Sequence, residues 1–76
     1  MDGIEYEKEV RMIIDEMARR RIELGLSQRA LGAKCGIPQS SIARLEAGKN
    51  APNLSTILII ARELGLKLSL RKQETG

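Results

Sequence analysis

Gln39, Ser40 and Arg44 are the residues of this 76-residue chain whose types and spacing carry the clearest chemistry. They lie in PQSSIARLEAG, a stretch of helical pattern that begins at Pro38 or Gln39, since proline is tolerated in a first turn, and must end before Gly48. At 100° per residue, Ile42, Leu45 and Glu46 point one way. Ser40, Ala43, Arg44 and Ala47 point the other, with Gln39 at the exposed N-terminal end. A solvated helical face ordinarily carries Glu and Lys, whereas this one is short-chained and uncharged except for Arg44. Amide, hydroxyl and guanidinium groups can hydrogen-bond the edges of base pairs, and alanines clear room for a helix to enter a groove. A merely polar face is the bland alternative.

Such a helix reads nothing unless other elements hold it at a fixed angle. Ser27 is a good N-cap for a preceding helix over 27–35, with Leu31 and Cys35 on one face and Gly36 supplying the turn before the helix over 38–47. Gly32 in the middle of a helix costs about 1 kcal/mol relative to Ala, and close approach of the next helix is the compensation to expect.

Asp2 with Glu5 three residues on resembles an acidic capping box, so a long first helix is expected over 4–24, stopped at Gly25. Tyr6, Val10, Ile13, Met17, Arg21 and Leu24 recur along it at the helical period. Arg21 therefore lies on an apolar stripe, where a guanidinium must either snorkel to the edge or meet a carboxylate. Glu46, on the inward face of the helix over 38–47, is the natural partner for a charge-assisted fork.

Asn53 can cap a fourth helix over 53–64, stopped by Gly65, with Leu54, Ile57, Leu58, Ala61 and Leu64 as its core stripe. Ile59 projects near the opposite side and Ile60 lies at the stripe's edge. Leu66, Leu68 and Leu70 then alternate with Lys67, Ser69 and Arg71, the period of a strand with one buried face over 66–71. A lone strand needs another molecule's edge, most simply its own copy across a twofold axis. Ile59, Ile60, Leu66, Leu68 and Leu70 are thus candidates for a dimer or partner interface. A fraying helical turn is the alternative for the tail, and residues 73–76 are expected to be disordered.

Composition narrows the remaining possibilities. The length suits one domain over 1–76, at a size where a partner often completes the burial. Hydrophobic residues make up 42% of the chain, but Phe and Trp are absent and Tyr6 is the sole aromatic, so the core must be aliphatic. With no His and one cysteine, Cys35, the chain cannot build a His/Cys zinc site, an internal disulfide or an imidazole-based triad. Cys35 is best read as a small buried hydrophobe. No Gly-rich phosphate loop or internal repeat appears. No enzyme activity, cofactor or metal is expected. No run is long enough to span a bilayer and the acidic N-terminus does not resemble a signal peptide, which places the protein in a reducing cytoplasm.

The net charge of +3 is unevenly spread. Residues 1–16 carry six acids (Asp2, Glu5, Glu7, Glu9, Asp15, Glu16) against Lys8 and Arg11, whereas residues 17–72 carry eleven bases against Glu23, Glu46 and Glu63. A charge run is often only a solvated face. A basic body on a small helical domain is also the electrostatic footprint of a nucleic-acid binder.

The string LGLSQRALGAKCGIPQSSIARLEAGKNAPNLSTILIIARELG closely resembles the helix-turn-helix domain of the phage-repressor and Cro family, also called the xenobiotic-response-element family. The resemblance extends from Arg20 to Gly65 and includes the L-S-Q opening, the Gly36 turn, Ile42 and the L-E-A-G-K ending. It implies an all-α, four-helix, lambda-repressor-like DNA-binding domain, with a positioning helix from Ser27 and a recognition helix from Gln39. The short C-terminal β-strand would pair across a dimer. Gln39, Ser40 and Arg44 match the family's base readers, with Ser41 nearer the backbone. Gln28 matches a position that holds a phosphate and packs near the first recognition residue. Ser27, Ser41, Lys49 and Asn50 are expected to hold phosphates alongside it. Arg21 and Glu46 match a buried ion pair of some phage repressors.

The long first helix and the ending LGLKLSLRK, with no further domain, are similar to antitoxins of bacterial toxin–antitoxin pairs, small autoregulators that bind their own promoter and a toxin. That resemblance implies double-stranded, palindromic operator DNA, a second copy and a toxin as partners, in a bacterial or phage cytoplasm. A stand-alone repressor, or an interaction module that binds no DNA, are the alternatives. Gly32 in place of the usual alanine, Arg20 where an apolar residue is frequent, and Pro38 at the recognition-helix cap depart from the family pattern.

Overall fold

The computed structural model describes residues 3–49 and 52–74, with side chains described from Lys8 onward. The Asp2 cap, the Tyr6 side chain and the Asn50 phosphate contact lie outside the described residues, as does the end of the tail at 75–76. Four helices follow one another: α1 (Gly3–Glu23), α2 (Gln28–Cys35), α3 (Gln39–Glu46) and α4 (Leu54–Glu63).

Local chemistry sets the helix ends. The Ser27 hydroxyl accepts the Ala30 N–H at 3.0 Å to start α2, and the Asn53 side chain accepts the Thr56 N–H at 2.8 Å to start α4. Gly25, Gly36, Gly48 and Gly65 all adopt positive φ, one just past each helix. α3 starts without a side-chain cap because Pro38 occupies that position.

The core is aliphatic. Ile14 and Met17 of α1, Leu31 of α2, Ile42 and Leu45 of α3, and Ile57, Ile60, Ala61 and Leu64 from α4 and its cap form one cluster. Val10, Leu26, Cys35, Ile37 and Leu66 pack against it.

The stripes are rotated from those expected. On α1 it is Ile14, 3% exposed, that enters the core, while Ile13 is 38% exposed. Both are apolar neighbours, and which one turns inward depends on where the other helices lie. Leu24 falls beyond the helix end and is exposed. On α4 the stripe runs through Ile57, Ile60, Ala61 and Leu64, leaving Leu54 and Leu58 outside. Ile60 is 2% exposed, so its expected place in a partner interface does not hold: the side chain is spent on the chain's own core.

The strand expected over 66–71 is not present in the single chain, and the described residues contain no strand. A strand's backbone groups need a neighbouring edge, and one chain of four helices supplies none. Leu66 instead turns back. Its N–H donates to the Ala61 carbonyl at 2.8 Å and its half-buried side chain packs on the core, which closes the end of α4. Leu68 is partly exposed and Leu70 fully so.

Candidate nucleic-acid interface

The turn between α2 and α3 is built on a missing side chain. A Cβ placed on Gly32 would stand 2.5 Å from the Ile37 carbonyl oxygen and 3.4 Å from the Gln39 nitrogen. Only glycine lets the chain pass so close, and the Ile37 N–H uses the approach to donate to the Gly32 carbonyl at 2.9 Å. The first residues of α3 are thereby pinned against the middle of α2. The cost of a mid-helix glycine is offset by this contact.

Ile42 and Leu45 anchor the inward face of α3, and Gln39, Ser40, Ser41 and Arg44 all stand exposed on the other side. Lys49 is exposed just beyond the helix end. Among the described residues neither Arg44 nor Lys49 has an acid within ion-pair distance. The outward face of α3 thus offers hydrogen-bonding groups that no partner among the described residues claims.

The far end of α3 is held through Glu46. Arg21 grips its carboxylate with two hydrogen bonds, Nε to Oε2 at 2.8 Å and Nη2 to Oε1 at 3.0 Å, and its Nη1 donates to the Leu26 carbonyl at 2.7 Å. The two side chains are only 12% and 15% exposed. The guanidinium of α1 therefore ties the start of the α2 segment and the end of α3 into one joint. Burial by itself raises the pKa of the Glu46 carboxyl. Hydrogen bonds from Arg21 and Gln28, with the Arg21 charge, outweigh burial, and the pKa falls below the ordinary 4.5.

Gln28 has a partner within the fold that the resemblance did not imply. Its half-buried side chain donates from Nε2 to Glu46 Oε1 at 2.9 Å and so braces the ion pair. The Ser27 hydroxyl is exposed, and its oxygen already serves the cap of α2 while its proton stays free to donate.

Two further arginines of α1 are joined to helix ends. Arg11 Nη2 donates to the Glu46 carbonyl at 2.6 Å, and Arg20 Nε donates to the Leu64 carbonyl at 2.9 Å. Each places positive charge at the negative end of a helix, on α3 and α4 respectively. Sequence reasoning missed both. Arg20 had shown itself as a departure from the family pattern, but nothing in the order of residues marked Arg11.

Cys35 is half-buried against the core, and burial, followed by the charge of Glu63, raises its thiol pKa, so the thiol stays protonated. No cluster of potential metal ligands occurs among the described residues, and no described helix is long and apolar enough to cross a membrane.

The model of the helix-turn-helix family matches residues 17–70. The chain belongs to the helix-turn-helix family. That family is one of DNA-binding transcriptional regulators, and the matched residues take in the second part of α1 and all of α2, α3 and α4. The chain is 40% identical over 58 residues to a Haemophilus influenzae protein named an uncharacterized HTH-type transcriptional regulator. The match takes in 76% of this chain and 59% of that one, so the chain spans about three-fifths of the length of this curated relative. No solved structure matches the chain.

Proposed function

We propose that this helix-turn-helix protein is a sequence-specific DNA-binding repressor that acts as a dimer. The observation that carries the reading is the exposed, unclaimed face of α3, presented by a helix whose two ends are fastened at Gly32 and Glu46. Arg44 would fork onto the O6 and N7 of a guanine and Gln39 would pair with an adenine, with Ser40 between them. Ser27, Ser41 and Lys49 would hold phosphates, with Asn50, and fix the register without reading sequence. Two copies would span half-sites about 34 Å apart, one turn of duplex.

Exposed apolar side chains support the dimer. Leu58 and Ile59 stand exposed on the side of α4 away from the core stripe, and Leu68 and Leu70 are exposed in the tail. Pairing of 66–71 with its own copy would supply the missing strand edge. The same side chains suit the antitoxin reading, in which the protein represses its own operon and binds a toxin through apolar contacts.

The test is titration of the protein into labelled DNA from upstream of its own gene and into a scrambled duplex, at several salt concentrations. Tighter, salt-dependent binding to the upstream DNA is expected. Absence of binding at low salt would leave an interaction module as the function. Copurification with the product of an adjacent reading frame tests the toxin.

A further inference from the structure

We infer that Arg11 is a positioning residue for DNA reading, setting the rotation of α3 and the path of the loop that carries Lys49. The assignment rests on the DNA-reading role proposed above. Arg11 lies ten residues before Arg21 on α1, and the two arginines take hold of the same residue by different groups: Arg21 the Glu46 carboxylate, Arg11 the Glu46 main-chain carbonyl at 2.6 Å. Side-chain anchoring alone leaves a helix end free to roll about the flexible χ angles of Glu. A bond to the backbone removes that freedom, because the carbonyl moves with the helix axis itself.

Arg11 also covers the exit of the helix. Gly48 turns at φ +75°, and a Cβ placed there would collide with Arg11 Nη1, so the guanidinium lies directly against the turn. Beyond that turn the Lys49 N–H donates back to the Arg44 carbonyl at 3.0 Å. One guanidinium therefore abuts the segment joining a candidate base reader to a candidate phosphate contact. Asp15 Oδ1 stands 3.3 Å from Arg11 Nε, a charge contact on the exposed side of α1. Among the described residues that buried Nε has no aligned hydrogen-bond partner, so the grip on Glu46 is the directional bond of the group.

Arg20 provides an internal control, since it makes the same kind of bond to a helix-end carbonyl but on α4. The experiment compares Arg11→Met, Arg11→Lys and Arg20→Met. Affinities for upstream and scrambled DNA, the salt slope of each, and amide hydrogen exchange at Gly48 and Lys49 are measured. Arg11→Met is expected to lose about tenfold in preference for upstream DNA, the scale of one weakened base contact. Scrambled-DNA affinity and the salt slope should hold, exchange at Gly48 and Lys49 should quicken, and Arg11→Lys should restore part of the preference. Arg20→Met should keep the preference.

A fall on both DNAs with the salt slope reduced by about one would make Arg11 itself a phosphate contact and overturn the assignment. Unchanged preference with unchanged exchange would overturn it too. If Arg11→Met does not fold, Arg11→Gln, which is too short to keep the same grip on the Glu46 carbonyl, takes its place, and unaltered preference with unaltered exchange there overturns the proposal. If the unmodified protein prefers no DNA, the DNA-reading role fails by itself. Exchange at Gly48 and Lys49 then decides alone whether Arg11 holds the loop, and unchanged protection overturns that too.

Discussion

Arg21 and Glu46, 25 positions apart, form a two-pronged ion pair at 2.8 and 3.0 Å on the seam between α1 and α3. The acid sits on α3 and the base on α1, so the bond that stabilises the fold also fixes the end of the helix whose outward face is proposed to meet DNA. Gln28 donates to the same carboxylate, which leaves both of its oxygens engaged.

Arg21→Met should therefore destabilise the protein by roughly 3 kcal/mol, near the low end for breaking a buried pair because these side chains keep some exposure. Adding Glu46→Leu should recover part of the loss by removing the stranded charge. Urea unfolding of the single and double variants measures both. A higher melting point for Arg21→Met with an unchanged fold would mean that the arginine only snorkels.

The depressed Glu46 pKa predicts acid sensitivity of a definite sign. The folded-state value lies below the unfolded one, so the unfolded chain takes up its proton first as the pH falls. The stabilisation is fully present above the ordinary value of 4.5 and is lost as the pH falls through the folded value. Glu46→Gln removes this titration, and its stability deficit against the unmodified protein should shrink from about pH 7 to about pH 3. A deficit that stays constant across that range would remove Glu46 as the source.

Gly32→Ala sets two effects against each other. Helix propensity gains about 1 kcal/mol, but the new methyl meets the Ile37 carbonyl, a backbone atom that cannot turn aside. Overpacking of this kind costs about 1–3 kcal/mol, so a net loss of stability is expected together with weaker DNA binding. Thermal unfolding and a DNA titration check the two parts, and a net gain in stability would show that the turn yields easily.

Arg44→Ala should relax discrimination at one base pair by about 1–3 kcal/mol. Lys49→Ala should weaken every sequence alike and lower the salt slope by about one. A panel of single-base operator variants separates these outcomes. Equal behaviour of the two variants would defeat the division of roles.

On α4, neighbouring isoleucines should behave oppositely. Ile59→Asp lies on the exposed side and should leave the monomer folded while weakening self-association at least tenfold, roughly the loss of a central apolar contact. Ile60→Asp should unfold the chain, since it buries a charge in the core. Sedimentation and circular dichroism distinguish them; an Ile59→Asp protein that dimerises normally moves the interface elsewhere.

Much of the fold could be read along the chain because its causes are local. Ser27 and Asn53 cap the residues immediately after them, and four glycines take the left-handed turns that other residues avoid. The polar face of α3 follows from its period, and a charge on each of two apolar stripes is enough to pair Arg21 with Glu46.

What lay beyond the sequence depended on neighbours from other helices. Whether Ile13 or Ile14, Leu58 or Ile60, turns inward is a matter of a fraction of a turn, decided by where the opposing surface stands. Long side chains such as Arg11, Arg20 and Gln28 reach far enough to choose among several acceptors, so only the assembled helices fix which one they meet. The tail shows the same division most plainly. Its leucine alternation is a property of the sequence, but a strand exists only where a second edge accepts its hydrogen bonds, and within one chain Leu66 folds back onto the core instead.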